Sequence, residues 1–206
     1  MNQLIDSLKG LLAAAASAGG DVANTAALTL ENVDWTGTLN RSEPASNPTV
    51  DTQLGAACAN AGRHGSAAHG AAQALLAVSD QLPWRTPTRD GAGEPDMVAF
   101  SRNFTANTII GPGGLLPSDK MMAGFCLQGR DTYYPGHLHR AEESYWVIGG
   151  AGDWKVGTRP WFAVKPGDSI YHESGMRHTM QTNEQAMLTV WLWTSHLNSD
   201  VVMVRG

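Results

Sequence analysis

Several features that would narrow the class of protein are scarce or missing in this sequence. There are two cysteines, Cys58 and Cys126, too few for a disulfide framework or a cysteine-rich zinc site. Lys and Arg total 14 against 19 Asp and Glu, and no basic cluster offsets the net charge of −5, so we expect no nucleic-acid or membrane-surface partner. No apolar run approaches the roughly 18 residues of a membrane helix. With 42% hydrophobic residues among 206, the sequence predicts a mildly acidic globular protein.

The first 20 residues allow two interpretations. An alanine-rich stretch, 11–16, is followed by Ser17 and Ala18 and is similar to the apolar segment and cleavage site of a signal peptide. An acidic residue, Asp6, precedes this stretch, and the leucines fall at helical spacing: Leu4, Leu8, Leu11 and Leu12. We favour an amphipathic helix and therefore predict a cytoplasmic location.

The composition changes near residue 84 and divides the chain into two predicted parts. Residues 1–83 are rich in alanine, and hydrophobic spacing predicts helices at 4–18 and 69–82. Residues 84–206 contain short β-prone runs separated by Gly- and Pro-rich turns, at 104–110, 121–127, 143–148, 161–164, 169–171 and 187–193. We therefore predict a mainly β protein, with a helical N-terminal region packed on a C-terminal sandwich or barrel.

Histidines concentrate in the second part, where four residues have the spacing of a metal site. Residues two apart in a strand point to the same face, so His137 and His139 can direct two imidazoles at one point, and Glu143 shares their parity. His178, after a turn and a short predicted strand, would complete a set of three nitrogen ligands and one oxygen ligand. Such a set suits one divalent transition metal ion, whether Zn, Fe, Mn or Ni.

The residues around these candidate ligands resemble the two motifs of the cupin superfamily. The segment from Gly136 through Glu143 to Gly149 is similar to the first motif, and residues 166–168 leading to His178 are similar to the second. The resemblance covers about residues 100–195 and implies a cupin barrel, a double-stranded β-helix or jelly roll, with a metal ion in its mouth. A fold of this kind does not by itself specify a reaction.

Two tyrosines narrow the resemblance to one family. The segment that begins at Tyr134 and ends at Tyr145 is similar to the motif of bacterial cupin dimethylsulfoniopropionate (DMSP) lyases, and the likeness extends to Trp191 and Trp193. These enzymes split DMSP into dimethyl sulfide and acrylate. By this resemblance Tyr145 is a ligand or the base, Tyr134 is a second pocket tyrosine, and the protein is expected to form a homodimer. The metal ligands that it implies are His137, His139, Glu143 and His178.

The chemistry of DMSP cleavage is consistent with these residue types. The proton next to a carboxylate is barely acidic, so a Lewis-acid metal ion and a strong base are both needed. A tyrosine with an ordinary pKa of about 10 can serve as the base if a nearby cation lowers that pKa. We expect Tyr145 to be the general base and Tyr134 to be the second candidate; the alternative is that one of them only forms the pocket wall.

Tryptophan is a candidate for binding the cationic end of the substrate. Trp191 and Trp193 share one face of a predicted strand, and an aromatic face attracts a sulfonium group through cation–π interaction. We predict that Trp191 or Trp193 lines the pocket. His172 is left open between a partner of the ligands and a surface residue.

Two further functions are compatible with the same residues. The first is another metal-dependent cupin reaction, by a dioxygenase or an isomerase, because three His and one Glu serve these enzymes too. The second is a non-catalytic cupin that binds a small ligand. The paired tyrosines favour the lyase, since a binding protein does not need them.

Overall fold

The computed structural model describes residues 1–62, 66–87 and 91–204. Within these ranges the α-helices are α1 (Asn2–Ala16), α2 (Asp21–Asn32), α3 (Gly55–Ala59, preceded by a π-helical turn), α4 (Ala67–Leu76) and α5 (Pro95–Asn103). The strands are β1 (Phe104–Ala106), β2 (Met122–Gln128), β3 (Tyr133–Leu138), β4 (Glu143–Gly150), β5 (Gly152–Val156), β6 (Phe162–Val164), β7 (Ser169–His172), β8 (His178–Gln181), β9 (Met187–Trp193) and β10 (Val202–Met203). None of the described helices is long and apolar enough to cross a membrane.

The strands form two antiparallel sheets of five strands each. One sheet has the order β1-β2-β9-β4-β7 and the other β10-β3-β8-β5-β6, so strands that follow each other along the chain alternate between the sheets from β2 to β5. This arrangement is a jelly-roll barrel, and it confirms the predicted mainly β fold with a helical N-terminal region.

The central strand β4 is buried on both faces, and each face has its own partner. Tyr145 and Val147 point into the barrel, where they join one hydrophobic cluster. Trp146 and Ile148 point outward and join a second cluster, which the N-terminal helices cover. This double burial explains why the strand is a nearly continuous apolar run rather than an alternating one.

The helical region packs on the outer face of the first sheet. The predicted leucine face of α1 is buried, and the N-cap of α4 is Ser66, whose side chain accepts a hydrogen bond from the backbone N–H of His69 (3.1 Å). On α2, the hydroxyl of Thr25 lies 2.7 Å from that of Ser144 on β4. A buried polar contact of this kind fixes how the helix sits on the sheet.

Some elements were not predicted. The described chain contains β5, β8 and β10, as well as helices α2, α3 and α5, at positions where the sequence pattern is weak. Strand β8 has four residues and begins with a polar histidine. In α2, Thr25 and Thr29 are buried, and their hydroxyls bond to backbone carbonyls within the helix (2.9 and 2.8 Å). Tertiary packing thus overrides weak local propensity in these segments.

Candidate metal and active site

A cavity of about 1040 Å³ reaches into the barrel. Its outer wall includes residues 197–202 near the C-terminus and residues 41–43 from the N-terminal region. Seven of the eight predicted site residues line it: Tyr134, His137, His139, Glu143, Tyr145, Trp191 and Trp193. The eighth, His178, is buried and contacts Glu143. The eight residues are therefore brought together in one region of the barrel.

Strand pairing accounts for this convergence. His137 on β3 lies opposite His178 on β8, which brings the two imidazoles to a centroid distance of 4.1 Å. Glu143, at the start of β4, lies opposite Trp193 on β9. Tyr145, two residues along β4, lies opposite Trp191. Because residues two apart share a face, both pairs point into the same cavity.

The carboxylate of Glu143 is the centre of the site. Its Oε2 lies 3.0 Å from Nε2 of His139 and 3.3 Å from Nε2 of His178. Its Oε1 accepts a hydrogen bond from the indole N–H of Trp193 (2.7 Å). The ligand-type atoms of His139, Glu143 and His178 all lie within 4.8 Å of one another, and the three residues are buried. His137 lies outside this group of three and contacts it through His178.

The three predicted histidine ligands share one hydrogen-bonding pattern. Nδ1 of each faces a backbone carbonyl two residues away: Pro135 for His137 (2.9 Å), Ala141 for His139 (3.0 Å) and Met176 for His178 (2.9 Å). A carbonyl oxygen only accepts, so Nδ1 must carry the hydrogen. In the neutral imidazole, Nε2 then presents a lone pair, which is the form that binds metal ions.

This pattern leaves the centre of the site short of positive charge. Nε2 of His139 and of His178 both face Oε2 of Glu143, so lone pairs meet a carboxylate in a buried space. The Nε2 atom of His178 has no hydrogen-bond partner among the described residues. A cation bound between these atoms would attract both the Nε2 lone pairs and the carboxylate, and it would give Nε2 of His178 a partner. The buried His/Glu group therefore fits a metal site.

The pKa shifts agree with an anionic carboxylate among neutral imidazoles. Burial opposes the charge on Glu143, but the close imidazoles of His139, His172 and His178 outweigh it and hold the pKa of the carboxyl well below its ordinary value. Burial, with His178 close by, lowers the pKa of His137 well below its ordinary value. The site is therefore ready to donate electron pairs without first losing protons.

The two tyrosines have different surroundings. Burial, followed by the charge of Glu143, raises the pKa of Tyr145 well above its ordinary value. Tyr134 is stacked between Phe100 (4.1 Å between ring centroids) and His137 (3.9 Å). Tyr145 is thus coupled to the carboxylate, whereas Tyr134 belongs to an aromatic stack beside a predicted ligand.

The two tryptophans also differ, although both line the cavity. Trp193 packs against the His139 ring (4.6 Å between centroids) and donates its N–H to Glu143. Trp191 is buried inside the barrel at 6.0 Å from Trp193, and its indole N–H has no partner among the described residues. Trp193 is therefore tied to Glu143, and Trp191 is not.

Two residues of the site lay outside the predicted set. His172 is buried on β7, opposite Glu143, and its Nδ1 lies 3.3 Å from Oε2 of Glu143. Trp154 on β5 donates its indole N–H to Nε2 of His172 (3.1 Å). Burial, with His178 beside it, lowers the pKa of His172 to about 3. The one signal in the sequence is the position of His172 at the end of a predicted strand, which does not reveal its neighbours.

Sequence similarity to known proteins supports a family assignment. A family model described as dimethylsulfoniopropionate lyase matches residues 24–189. The dimethylsulfoniopropionate lyase DddQ of Ruegeria pomeroyi is 28% identical over 130 residues, 63% of this chain and 63% of the relative. The putative dimethylsulfoniopropionate lyase DddL of Cereibacter sphaeroides is 31% identical over 158 residues, 76% of this chain and 63% of the relative. Each match thus spans a little under two thirds of the curated relative.

Solved structures agree on the fold. Structures described as the DMSP lyases RdDddP and RnDddQII include a chain that matches with a TM-score of 0.74 at 21% identity, covering 98% of both chains. The DMSP lyase DddQ from Ruegeria pomeroyi matches with a TM-score of 0.69 at 24% identity, covering 89% of this chain and 93% of that one. With the two-sheet topology, these matches confirm the predicted cupin-type barrel. Because the family model covers most of the sequence, the chain belongs to the dimethylsulfoniopropionate lyase family.

Proposed function

We propose that the protein is a metal-dependent carbon–sulfur lyase that converts DMSP into dimethyl sulfide and acrylate by β-elimination. The observation that carries the proposal is the buried Glu143 carboxylate, with Nε2 of His139 and His178 facing it, in a cavity that Tyr145 also lines. The family assignment supports the same substrate.

The residues that would hold one divalent ion are His137, His139, Glu143 and His178. Zn, Fe, Mn and Ni all accept three imidazoles and a carboxylate. A metal ion bound there would act as a Lewis acid toward the substrate carboxylate and would add positive charge that favours a tyrosine phenolate. The backbone carbonyls at Nδ1 support this assignment, because they fix the tautomer in which each Nε2 presents a lone pair.

Tyr145 is the proposed general base. Its phenolic oxygen would take the proton from the carbon next to the substrate carboxylate, while the carbon–sulfur bond breaks and its electron pair leaves with neutral dimethyl sulfide. The new carbon–carbon double bond completes acrylate. Burial and the Glu143 charge hold the pKa of Tyr145 high, so its phenolate is a strong base once formed. Tyr134 is the second candidate for the base.

The cationic end of DMSP is proposed to lie against the aromatic wall. Trp191 and Trp193 both line the cavity, and each aromatic face can contribute about 0.5–2 kcal/mol toward binding a sulfonium group. Trp191 is the better candidate, because Trp193 is already engaged with Glu143 and His139. A homodimer and a cytoplasmic location belong to the same proposal.

The test is release of dimethyl sulfide from DMSP, measured in the headspace by gas chromatography. Three samples are compared: metal-loaded protein, protein treated with a chelator, and the metal-loaded His139→Ala variant. We expect release from the first sample alone, and recovery of the chelated sample when metal is returned. His69→Ala is the matched control, because His69 lies on α4 and does not line the cavity.

Two results would count against the proposal. Release that survives chelation and His139→Ala would remove the metal from the mechanism. No release from protein that holds one metal ion per chain would discard the lyase and favour the dioxygenase or isomerase chemistry of other cupins.

A further inference from the structure

His172 is a buried imidazole that contacts the candidate metal site but is not among its predicted ligands. It lies opposite Glu143 in the pairing of β7 with β4, and its side chain is fully shielded from solvent. Its two ring nitrogens have different partners. Nε2 faces the indole N–H of Trp154 at 3.1 Å, and Nδ1 faces Oε2 of Glu143 at 3.3 Å.

These partners fix the tautomer of His172. An indole nitrogen only donates, so Nε2 of His172 must accept, and in the neutral ring the hydrogen is then on Nδ1. That hydrogen points toward Oε2 of Glu143. His139 and His178 have the opposite arrangement at the carboxylate, because their Nδ1 hydrogens are bound to backbone carbonyls and their Nε2 lone pairs face Oε2.

We propose that Trp154 and His172 form a positioning pair, in which Trp154 sets the tautomer of His172 and His172 holds Oε2 of Glu143 in place for metal binding. His172 is not a ligand in this arrangement, because one nitrogen accepts from Trp154 and the other carries a hydrogen. Trp193 holds Oε1 from the other side. Both oxygens of the carboxylate are thus oriented by N–H donors. The inference rests on the metal site of the proposed function.

Three substitutions separate the roles of the pair. His172→Leu removes the donor while keeping a side chain of similar size. His172→Asn keeps an N–H donor near the position of Nδ1 and serves as the conservative rescue. Trp154→Phe keeps a ring in the barrel but removes the N–H that fixes the tautomer. Trp84→Phe is the matched control, because Trp84 is also buried and donates its indole N–H to a backbone carbonyl, that of Ser79, at 3.0 Å.

The first measurement is the affinity of the metal-free protein for Co²⁺, by competition with a chelating dye, together with the visible absorption spectrum of the bound Co²⁺. Loss of a residue that orients a ligand typically weakens metal binding by about 10- to 100-fold, and we expect this for His172→Leu. We expect His172→Asn to bind Co²⁺ almost as tightly as the parent, and Trp154→Phe to lose less affinity than His172→Leu. The double variant should bind no more weakly than His172→Leu alone, because Trp154 acts through His172. Trp84→Phe should bind like the parent.

The second measurement reads the tautomer directly in the metal-free protein. Long-range ¹H–¹⁵N correlation spectra of the histidine side chains should show the His172 hydrogen on Nδ1 in the parent. They should show a shift toward the Nε2 tautomer in Trp154→Phe. This result does not depend on turnover, and it remains informative if His172→Leu fails to fold.

The outcomes distinguish this inference from the proposed function. If His172→Leu binds Co²⁺ as tightly as the parent with an unchanged spectrum, while His139→Ala loses the metal, the positioning role is wrong and the metal site stands. If the spectra of the parent show the His172 hydrogen on Nε2, the proposed Trp154–His172 pair is also wrong. If His139→Ala binds Co²⁺ like the parent, the metal site itself is wrong.

Discussion

The indole N–H of Trp193 lies 2.7 Å from Oε1 of Glu143, and this hydrogen bond ties the aromatic wall of the cavity to its central carboxylate. The two residues are opposite each other in the pairing of β9 with β4, 50 positions apart along the chain. A tryptophan predicted as a substrate contact is thus also a support for a candidate metal ligand.

Trp193→Phe keeps an aromatic face in the cavity but removes this hydrogen bond. A hydrogen bond to a charged group contributes about 1.5–3 kcal/mol when buried, and Trp193 is only partly buried. We therefore expect metal affinity to fall by about three- to tenfold. Competition with a chelating dye measures the change, and Trp191→Phe, which leaves Glu143 untouched, should bind metal like the parent. Equal losses in both variants would contradict the supporting role of the Trp193 N–H.

Tyr145→Phe and Tyr134→Phe should have unequal effects on turnover. The pKa of Tyr145 is raised by burial and by the charge of Glu143, whereas Tyr134 is stacked between Phe100 and His137. Loss of a general base typically costs about 10²- to 10⁴-fold, and we expect kcat to fall this far in Tyr145→Phe with metal content unchanged. Tyr134→Phe keeps the stacked ring and should retain most of its activity. The check is steady-state dimethyl sulfide release; undiminished kcat in Tyr145→Phe would exclude Tyr145 as the base.

Cys58 and Cys126 should resist alkylation in the folded protein, although Cys126 lines the cavity. Burial raises the pKa of each thiol to about 12, so almost no reactive thiolate exists near neutral pH. Incubation with iodoacetamide at about pH 8, followed by mass spectrometry, should show no adduct on either residue. The same treatment in denaturant should label both. Rapid labelling of native Cys126 would show that the barrel interior is more open than its 4% exposure indicates.

Gly149→Ala should destabilise the protein, because a Cβ atom at this position would collide with the backbone carbonyl of Ala57 in α3. Inserting a methyl group into such a contact costs about 1–3 kcal/mol of unfolding free energy. Gly10→Ala is the control: it lies in α1 with open space around it, and should raise stability by up to about 1 kcal/mol. Urea unfolding of metal-free protein measures both changes. A neutral Gly149→Ala would mean that α3 can move off the sheet without loss.

The sequence was most informative where local pattern and burial coincide. Strand β9 was predicted at 187–193 and is found at Met187–Trp193, because both of its faces are buried and the apolar run is unbroken. Strand β5 was missed: its interior alternates between Trp154, which is fully buried, and partly exposed residues, and it begins with a glycine. Segments of this kind gain their stability from the neighbouring strands rather than from their own residues.

The residues of the candidate site also fall into two groups, those that sequence spacing can indicate and those that only tertiary pairing places. His137 and His139 are two positions apart, as are Glu143 and Tyr145, so strand parity indicates that the members of each pair point the same way. The two pairs belong to segments on either side of the bend at 140–141, and they meet because the two sheets face each other. His172 could not be placed in this way, because its contact with Glu143 depends on the register between β4 and β7 across 29 positions. The same holds for Trp154, which reaches His172 from the opposite sheet. Spacing therefore predicts candidate ligands, while the residues that orient them depend on tertiary pairing.

Stability of the metal-free protein should fall as the pH drops below neutrality. The pKa of His172 is about 3 in the folded protein, against an ordinary value of 6.5, because burial and the neighbouring His178 disfavour the charged ring. Between these two values the unfolded chain binds a proton that the folded chain does not, so acid favours unfolding. The contribution of His172 alone is a loss of about 2 kcal/mol between pH 7 and pH 5. The lowered pKa of His137 acts in the same direction.

Urea unfolding in the presence of a chelator, at about pH 7, 6 and 5, measures how the free energy of unfolding changes with pH. His172→Asn removes one titrating group and should make the decline shallower. Trp84→Phe removes a buried hydrogen bond but no titrating group. It should lower the free energy of unfolding by the same amount at each pH. If His172→Asn and the parent lose stability in parallel, His172 has the same pKa in the folded protein as in the unfolded chain. A protonated ring has no lone pair to accept the Trp154 N–H, so protonation without loss of stability would also contradict the Trp154–His172–Glu143 arrangement.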